Sequence, residues 1–243
     1  MPAVWDFETD PDYQAKLDWV EEFMVDELEP LDLVALDPYD KKNAETMAIL
    51  RPLQQQVRDH GLWAAHLKPE LGGQGYGQVK LALLNEILGR SRWAPSVFGS
   101  QAPDSGNAEI LALFGTAEQK ARYLQPLLDG DITSCYSMTE PQGGSDPGLF
   151  VTRAERDNGT WVINGEKWFS TNARHATFFI VMAVTNPDAR TRDKMSLFIV
   201  PAETPGIEII RNVGVGTESH ATHGYVRYAD VRVPADHILG GEG

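Results

Sequence analysis

In LLDGDITSCYSM (residues 127–138) the periodicity of the chain changes. Leu127 and Leu128 close a helical pattern, and Gly130 ends it, as glycine does just past a helix. TSCYSM then begins a run of strand-like segments. Helical patterns lie before this point and strand patterns after it. That order implies an α+β chain or two separate domains. The reading is a helical domain over residues 1–132 and a β domain over residues 133–243.

Working back toward the N-terminus, Asp10 is placed to cap a helix over residues 10–29, with Pro11 at its first position. Tyr13, Leu17, Val20, Met24 and Leu28 recur every three or four residues and form one apolar stripe, which Pro30 ends. A second helix fits residues 41–60, with Pro52 expected to kink or divide it. A third fits 78–88, and two more fit 104–114 and 116–129. Working forward, strands fit 150–156, 160–168, 177–184, 195–201, 207–213 and 225–233. Asn158-Gly159 predicts a tight hairpin, and Asn164-Gly165 repeats that signal. TFFIVMAVT (177–185) reads as a strand buried on both faces.

Composition narrows the functional classes. Apolar content of 42% with 23% charged residues is that of a globular chain with a sizeable core. Residues 6–40 hold thirteen acids against one base, Lys16, and account for −12 of the net −14. So acidic a segment reads as a solvated helix face and argues against a nucleic-acid partner. The single cysteine, Cys135, excludes an internal disulfide. No signal-like or membrane-length apolar run is seen, so the expected location is cytoplasmic.

Neither the dinucleotide-binding nor the P-loop glycine fingerprint occurs, and GGQGYG (72–77) reads as a structural turn. His220 and His223 lack clustered companions, so no metal site is expected. Cys135 reads as a small buried hydrophobe. Two stretches carry more. In MTEPQGGSD (138–146) adjacent glycines let backbone amides approach a ligand, and Thr139 and Ser145 supply hydroxyls. In NGEKWFSTNA (164–173) an aromatic wall beside Ser170 and Thr171 suits a flat heteroaromatic ring. Composition alone favours a polar hairpin loop for the first and a core tryptophan for the second.

Taken in order and register, CYSMTEPQGGSD, VINGEKWFSTNA, SLFIVPAETPGIEII and YADVRVPADHILGGEG resemble the acyl-CoA dehydrogenase family. LKPELGGQGYG, GRSRWAPSVFGSQAPDSGN and GTAEQKARYLQPLLDGDITSCYSMTEP are similar to its N-terminal helical domain. The look is nearest the branch of human members ten and eleven. The resemblance implies an all-helical domain, then a β-barrel-like middle domain, with the family's C-terminal four-helix domain absent. It implies FAD as cofactor and oxidation of the Cα–Cβ bond of an acyl-CoA to a trans-2-enoyl-CoA. Tyr136, Met138 and Thr139 are expected along the flavin ring, and Gly144 and Ser145 near its pyrophosphate, with Ser145 also near the CoA. Trp168 is expected to cover the flavin, with Phe169 and Thr171 in the same wall and Ser170 bonding near N5. Glu140 matches a glutamate that is structural in the family. The catalytic base is expected in the absent domain, so none is assigned and the chain alone is expected to be inactive. Implied partners are an acyl-CoA, electron-transfer flavoprotein, and further copies in a homodimer or homotetramer. A flavin monooxygenase or nitroalkane oxidase of the same fold, or a non-catalytic binding or assembly module, are the alternatives.

Overall fold

The structure is a computed structural model that describes residues 9–215 and 222–243. The chain divides between Gln101 and Ala102 into two compact units. His220 lies outside the described residues.

The first unit is helical. In α1 (Pro11–Phe23) the Asp10 carboxylate accepts the Tyr13 amide proton at 3.0 Å, which closes one of the donors a helix start leaves open. A π-helical turn (Met24–Leu28) and a 3-10 turn (Glu29–Leu33) carry the stripe to Pro30. Asn43 caps α2 (Ala44–Asp59), which runs through Pro52 without dividing. GGQGYG leads into α3 (Gln78–Leu88). A Cβ at Gly73 would lie 2.1 Å from the Leu67 carbonyl oxygen, so that turn is built for close backbone approach. The short α4 (Ala94–Val97) completes the unit around Leu50, Val57, Trp93 and Phe98.

The second unit opens with α5 (Asp104–Phe114). A further run follows: α6 (Ala117–Gln119), a π-helical turn (Lys120–Leu124) and α7 (Gln125–Asp129). These helices pack on the sheet. The Ser134 amide donates to the Asp104 carboxylate at 2.7 Å, Asn107 donates to the Ser134 hydroxyl at 2.8 Å, and the Tyr123 ring lies 4.9 Å from Phe178. The packing division therefore falls before α5, upstream of the change in period.

Among the described residues eight strands follow: β1 (Ser134–Ser137), β2 (Arg153–Asp157), β3 (Thr160–Thr171), β4 (Phe178–Val184), β5 (Met195–Pro201), β6 (Ile207–Val213), β7 (His223–Pro234) and β8 (Ile238–Leu239). Their order is β6-β7-β3-β2-β4-β5-β8, with β1 parallel to β4. This is the β domain expected after the helical one, and among the described residues its sheet is not closed. Among the described residues no ladder joins β6 to β8, β8 is two residues long, and β2 meets β4 through the single pair Arg153↔Val184. The two halves instead share one core. Trp161 meets Phe198 edge-on at 5.2 Å and Phe179 meets Tyr228 at 6.4 Å.

The two Asn-Gly signals separate here. Asn158 (φ 48°) and Gly159 (φ 80°) form the tight β2–β3 turn, both in the left-handed region a twisted hairpin favours. Asn164-Gly165 is no hairpin but lies within β3. Between Ile163↔Val231 and Gly165↔Tyr228, β7 takes three steps to β3's two, so β7 bulges. Asn164 serves that bulge: its side-chain oxygen accepts the Asp230 amide at 2.8 Å.

Candidate functional site

A second bulge builds the site. Lys167 pairs with Val226 and Ser170 with Gly224, so here β3 takes three steps to β7's two. Up to this point β3 alternates, with Trp161, Ile163 and Lys167 pointing inward. The extra residue lets Trp168 and Phe169 both face outward, and the phase then resumes reversed. Ser170 points in and Thr171 points out. Phe169 holds φ 53° and is 42% exposed, which for a large side chain marks a strained backbone next to an open face.

The outward face of β7 meets that wall. Tyr225 lies 4.9 Å from Trp168, His223 lies 5.8 Å from Phe169, and the Arg211 guanidinium of β6 is 4.9 Å from the Trp168 ring centre. Thr171 Oγ1 is 2.9 Å from His223 Nδ1. On the inward face, Ser170 Oγ lies 2.8 Å from Ser137 Oγ, to which Tyr228 also donates at 2.8 Å. Ser170 is fully buried, so its hydroxyl is held within the core.

The stretch 136–145 is drawn to this wall by backbone and charge. The Trp168 amide donates to the Thr139 carbonyl at 2.7 Å. Lys167 Nζ donates to the Met138 carbonyl at 2.7 Å and to Glu140 Oε1 at 2.9 Å, with both charged side chains wholly buried. The Glu140 carboxylate also accepts the Val151 and Thr152 amides at 2.8 and 2.9 Å. Burial would raise the Glu140 carboxyl. The Val151 amide, Lys167 and Thr152 outweigh it and hold the carboxyl below its usual range. Burial pushes Lys167 down to about 8, against the pull of Glu140. The pair is a clamp that fixes the Met138 and Thr139 carbonyls on β3. Glu140 thus has a structural part.

Tyr136, Met138 and Thr139 are half-buried, and Gly144 and Ser145 are exposed. The hydroxyls of Tyr136, Thr139 and Ser145 make no hydrogen bond among the described residues, and burial raises the Tyr136 phenol. A Cβ on Gly144 would lie 3.3 Å from the Thr139 methyl, so the glycine lets the turn close over Thr139. Uncommitted hydroxyls beside an aromatic wall and a glycine turn form a donor set that fits a flat, anionic, heteroaromatic group. Sequence reasoning named Tyr136, Met138, Thr139, Gly144, Ser145, Trp168, Phe169, Ser170 and Thr171. It missed Lys167, Tyr225 and Arg211, which local pattern does not mark, and it considered His223 only as a metal ligand. Among the described residues no three His, Cys, Asp or Glu are grouped to hold a metal ion. No helix in them is long and apolar enough to cross a membrane.

Residues 10–131 match the acyl-CoA dehydrogenase N-terminal domain, and residues 135–231 match the acyl-CoA dehydrogenase middle domain. The chain belongs to the acyl-CoA dehydrogenase family. Its relatives include FadE2 of Mycobacterium tuberculosis, described as a probable acyl-CoA dehydrogenase, 42% identical over 80% of this chain and 48% of that protein. Human acyl-CoA dehydrogenase family member 11 is 39% identical over 80% of this chain and 26% of its own length. A solved Mycobacterium abscessus structure described as an acyl-CoA dehydrogenase superposes with TM-score 0.84 at 35% identity, over 97% of this chain and 62% of that one. A Mycobacterium smegmatis glutaryl-CoA dehydrogenase, solved with FADH2, superposes with TM-score 0.68 at 26% identity, over 97% and 57%. The chain therefore spans about half of FadE2 and about a quarter of human member 11.

Proposed function

We propose that residues 136–145 and 168–171 hold the flavin of an FAD-dependent acyl-CoA dehydrogenase that converts an acyl-CoA to its trans-2-enoyl-CoA. The observation that carries this reading is the β3 bulge. It turns Trp168, Phe169 and Thr171 to one face and clamps the unpartnered Thr139 hydroxyl beside them. The FADH2 bound by the glutaryl-CoA dehydrogenase relative supports the same cofactor.

In this reading Trp168 and Phe169 cover the ring, and Tyr136 and Met138 line it. The Thr139 hydroxyl bonds its polar pyrimidine edge. Ser170 bonds near the edge nitrogen, with Thr171 in the same wall. Gly144 and Ser145 lie against the pyrophosphate, with Ser145 also against the CoA portion. Bound FAD would supply the acceptor for the hydride lost in Cα–Cβ oxidation. No residue here is assigned as the base that takes the α-proton. That base is proposed to lie in the part of the relatives beyond the matched span. Electron-transfer flavoprotein as acceptor, a homodimer or homotetramer, and a cytoplasmic location are proposed on the family resemblance.

The test is an FAD titration of the purified chain followed by quenching of flavin fluorescence. Saturable binding is expected, weakened about tenfold by Thr139→Val and by Phe169→Ala, each worth about 1.4 kcal/mol. Absence of binding, or binding untouched by both substitutions, would refute the site. Bleaching of the bound flavin by acyl-CoAs of graded length, with the base region restored, then tests the reaction.

A further inference from the structure

The outward face of β3, β7 and β6 carries two rows of side chains. In the first, Glu208 is the register partner of Arg227, and Arg227 of Glu166, so charge alternates across the three strands. Arg227 ties this row together, donating to Glu166 at 2.9 Å and to Glu208 at 3.1 Å. The second row is Arg211, Tyr225 and Trp168. Both neighbours of β7 bulge at this level. Ile209 pairs with Val226 and Arg211 with Tyr225, so β6 takes two steps to β7's one. On the other side, the β3 bulge sets Trp168 and Phe169 opposite Tyr225 alone.

Two groups of this row touch the indole. The Tyr225 ring lies 4.9 Å from Trp168, tilted by 47°, and the Arg211 guanidinium lies 4.9 Å from the Trp168 ring centre. An aromatic pair and a cation over an indole are each attractive. Both groups are themselves anchored. The Tyr225 hydroxyl donates to the Glu166 carboxylate, which Arg227 also holds, so the second row is stitched to the first. Arg211 donates to the Asn212 carbonyl at 3.2 Å.

We infer that Tyr225 and Arg211 are positioning residues that hold the Trp168 indole in one orientation, and that this pre-organisation strengthens the binding of a flat ligand against it. The inference rests on the flavin reading, in which Trp168 covers the ring. An indole already fixed loses no rotamer freedom when a ligand settles on it, and one left to rotate does. Tyr225 acts through Trp168, because its own hydroxyl is committed to Glu166.

The test reads the indole and the ligand separately. The chain is labelled with 5-fluorotryptophan, and the Trp168 19F resonance, one of six, is assigned by its loss in Trp168→Phe. Tyr225→Leu and Arg211→Gln are expected to move or broaden that resonance and to leave the others in place, which shows the fold intact. Tyr225→Phe keeps the ring and loses only the Glu166 bond, so a smaller change is expected. Where Tyr225→Leu disturbs the other resonances as well, Tyr225→Phe carries the test. FAD titrated into the same variants is expected to bind about tenfold more weakly with Tyr225→Leu and about threefold more weakly with Tyr225→Phe. A Trp168 resonance indifferent to the Tyr225 and Arg211 substitutions would overturn the inference. So would an FAD affinity that falls in Trp168→Ala but is untouched by the Tyr225 variants. FAD binding untouched by Trp168→Ala, or absent altogether, would instead refute the flavin reading at this wall. The 19F resonance would then still decide whether Tyr225 and Arg211 hold the indole.

Discussion

Lys167→Met tests the clamp beneath the site. The substitution keeps the length of the aliphatic stem and removes one ammonium, which at present donates to the Met138 carbonyl at 2.7 Å and to Glu140 at 2.9 Å. It leaves the Glu140 carboxylate buried with only amide donors, among them Val151 and Thr152. Removing one partner of a buried ion pair costs about 3–5 kcal/mol, because the survivor keeps its desolvation cost without its counter-charge. For a chain of this size that corresponds to a fall in Tm of roughly 6–20 °C. Thermal unfolding by circular dichroism at neutral pH measures it, with limited proteolysis of the 141–151 loop as a local probe. The companion variant is Glu140→Gln with Lys167→Met. Glutamine keeps an acceptor for the amides and removes the stranded charge. The pair should therefore recover about 1–3 kcal/mol relative to the sum of the two single variants. A single-variant loss below about 1 kcal/mol, or strict additivity, would refute the view that this ion pair holds 138–152 onto β3.

Three further outcomes follow from the same geometry. The depressed Lys167 group binds its proton more weakly folded than unfolded. Stability should therefore rise with pH between about 8 and the unfolded value of 10.5, with the cost of charging the buried amine fully present below that window and gone above it. Denaturation curves for the wild type minus Lys167→Met across the window check the sign. Gly165→Ala would set a Cβ 2.4 Å from Thr152 Oγ1 and 2.6 Å from its Cα, so a loss of about 1–3 kcal/mol is expected by urea denaturation. Ser170→Ala should cost about 1 kcal/mol through the lost Ser137 bond and weaken FAD binding about tenfold. Unchanged affinity would confine its hydroxyl to the core.

Much of this protein is legible in the chain itself, because the signals involved are local. Asp10 before Pro11 announces the first helix, Asn158-Gly159 the hairpin, and unbroken apolarity the doubly covered β4, since capping, φ preference and burial act within a few residues. The two site stretches were legible too, from glycines and hydroxyls in one and an aromatic wall in the other. Long-range registration was not legible. Asn164-Gly165 carries the same letters as the true hairpin but is consumed by a bulge whose extra residue lies on β7, more than sixty positions away. Strict alternation through Lys167–Thr171 would put Trp168 and Ser170 on one face. The second bulge reverses that phase, sending Ser170 into the core and Phe169 and Thr171 outward. Lys167 reads as a surface residue until the fold delivers Glu140 and the Met138 carbonyl to it. The sequence by itself determined which residue types gather at the site. Only tertiary structure decided which of them face outward, because facing depends on register between strands, and register is a property of pairs of segments rather than of either one.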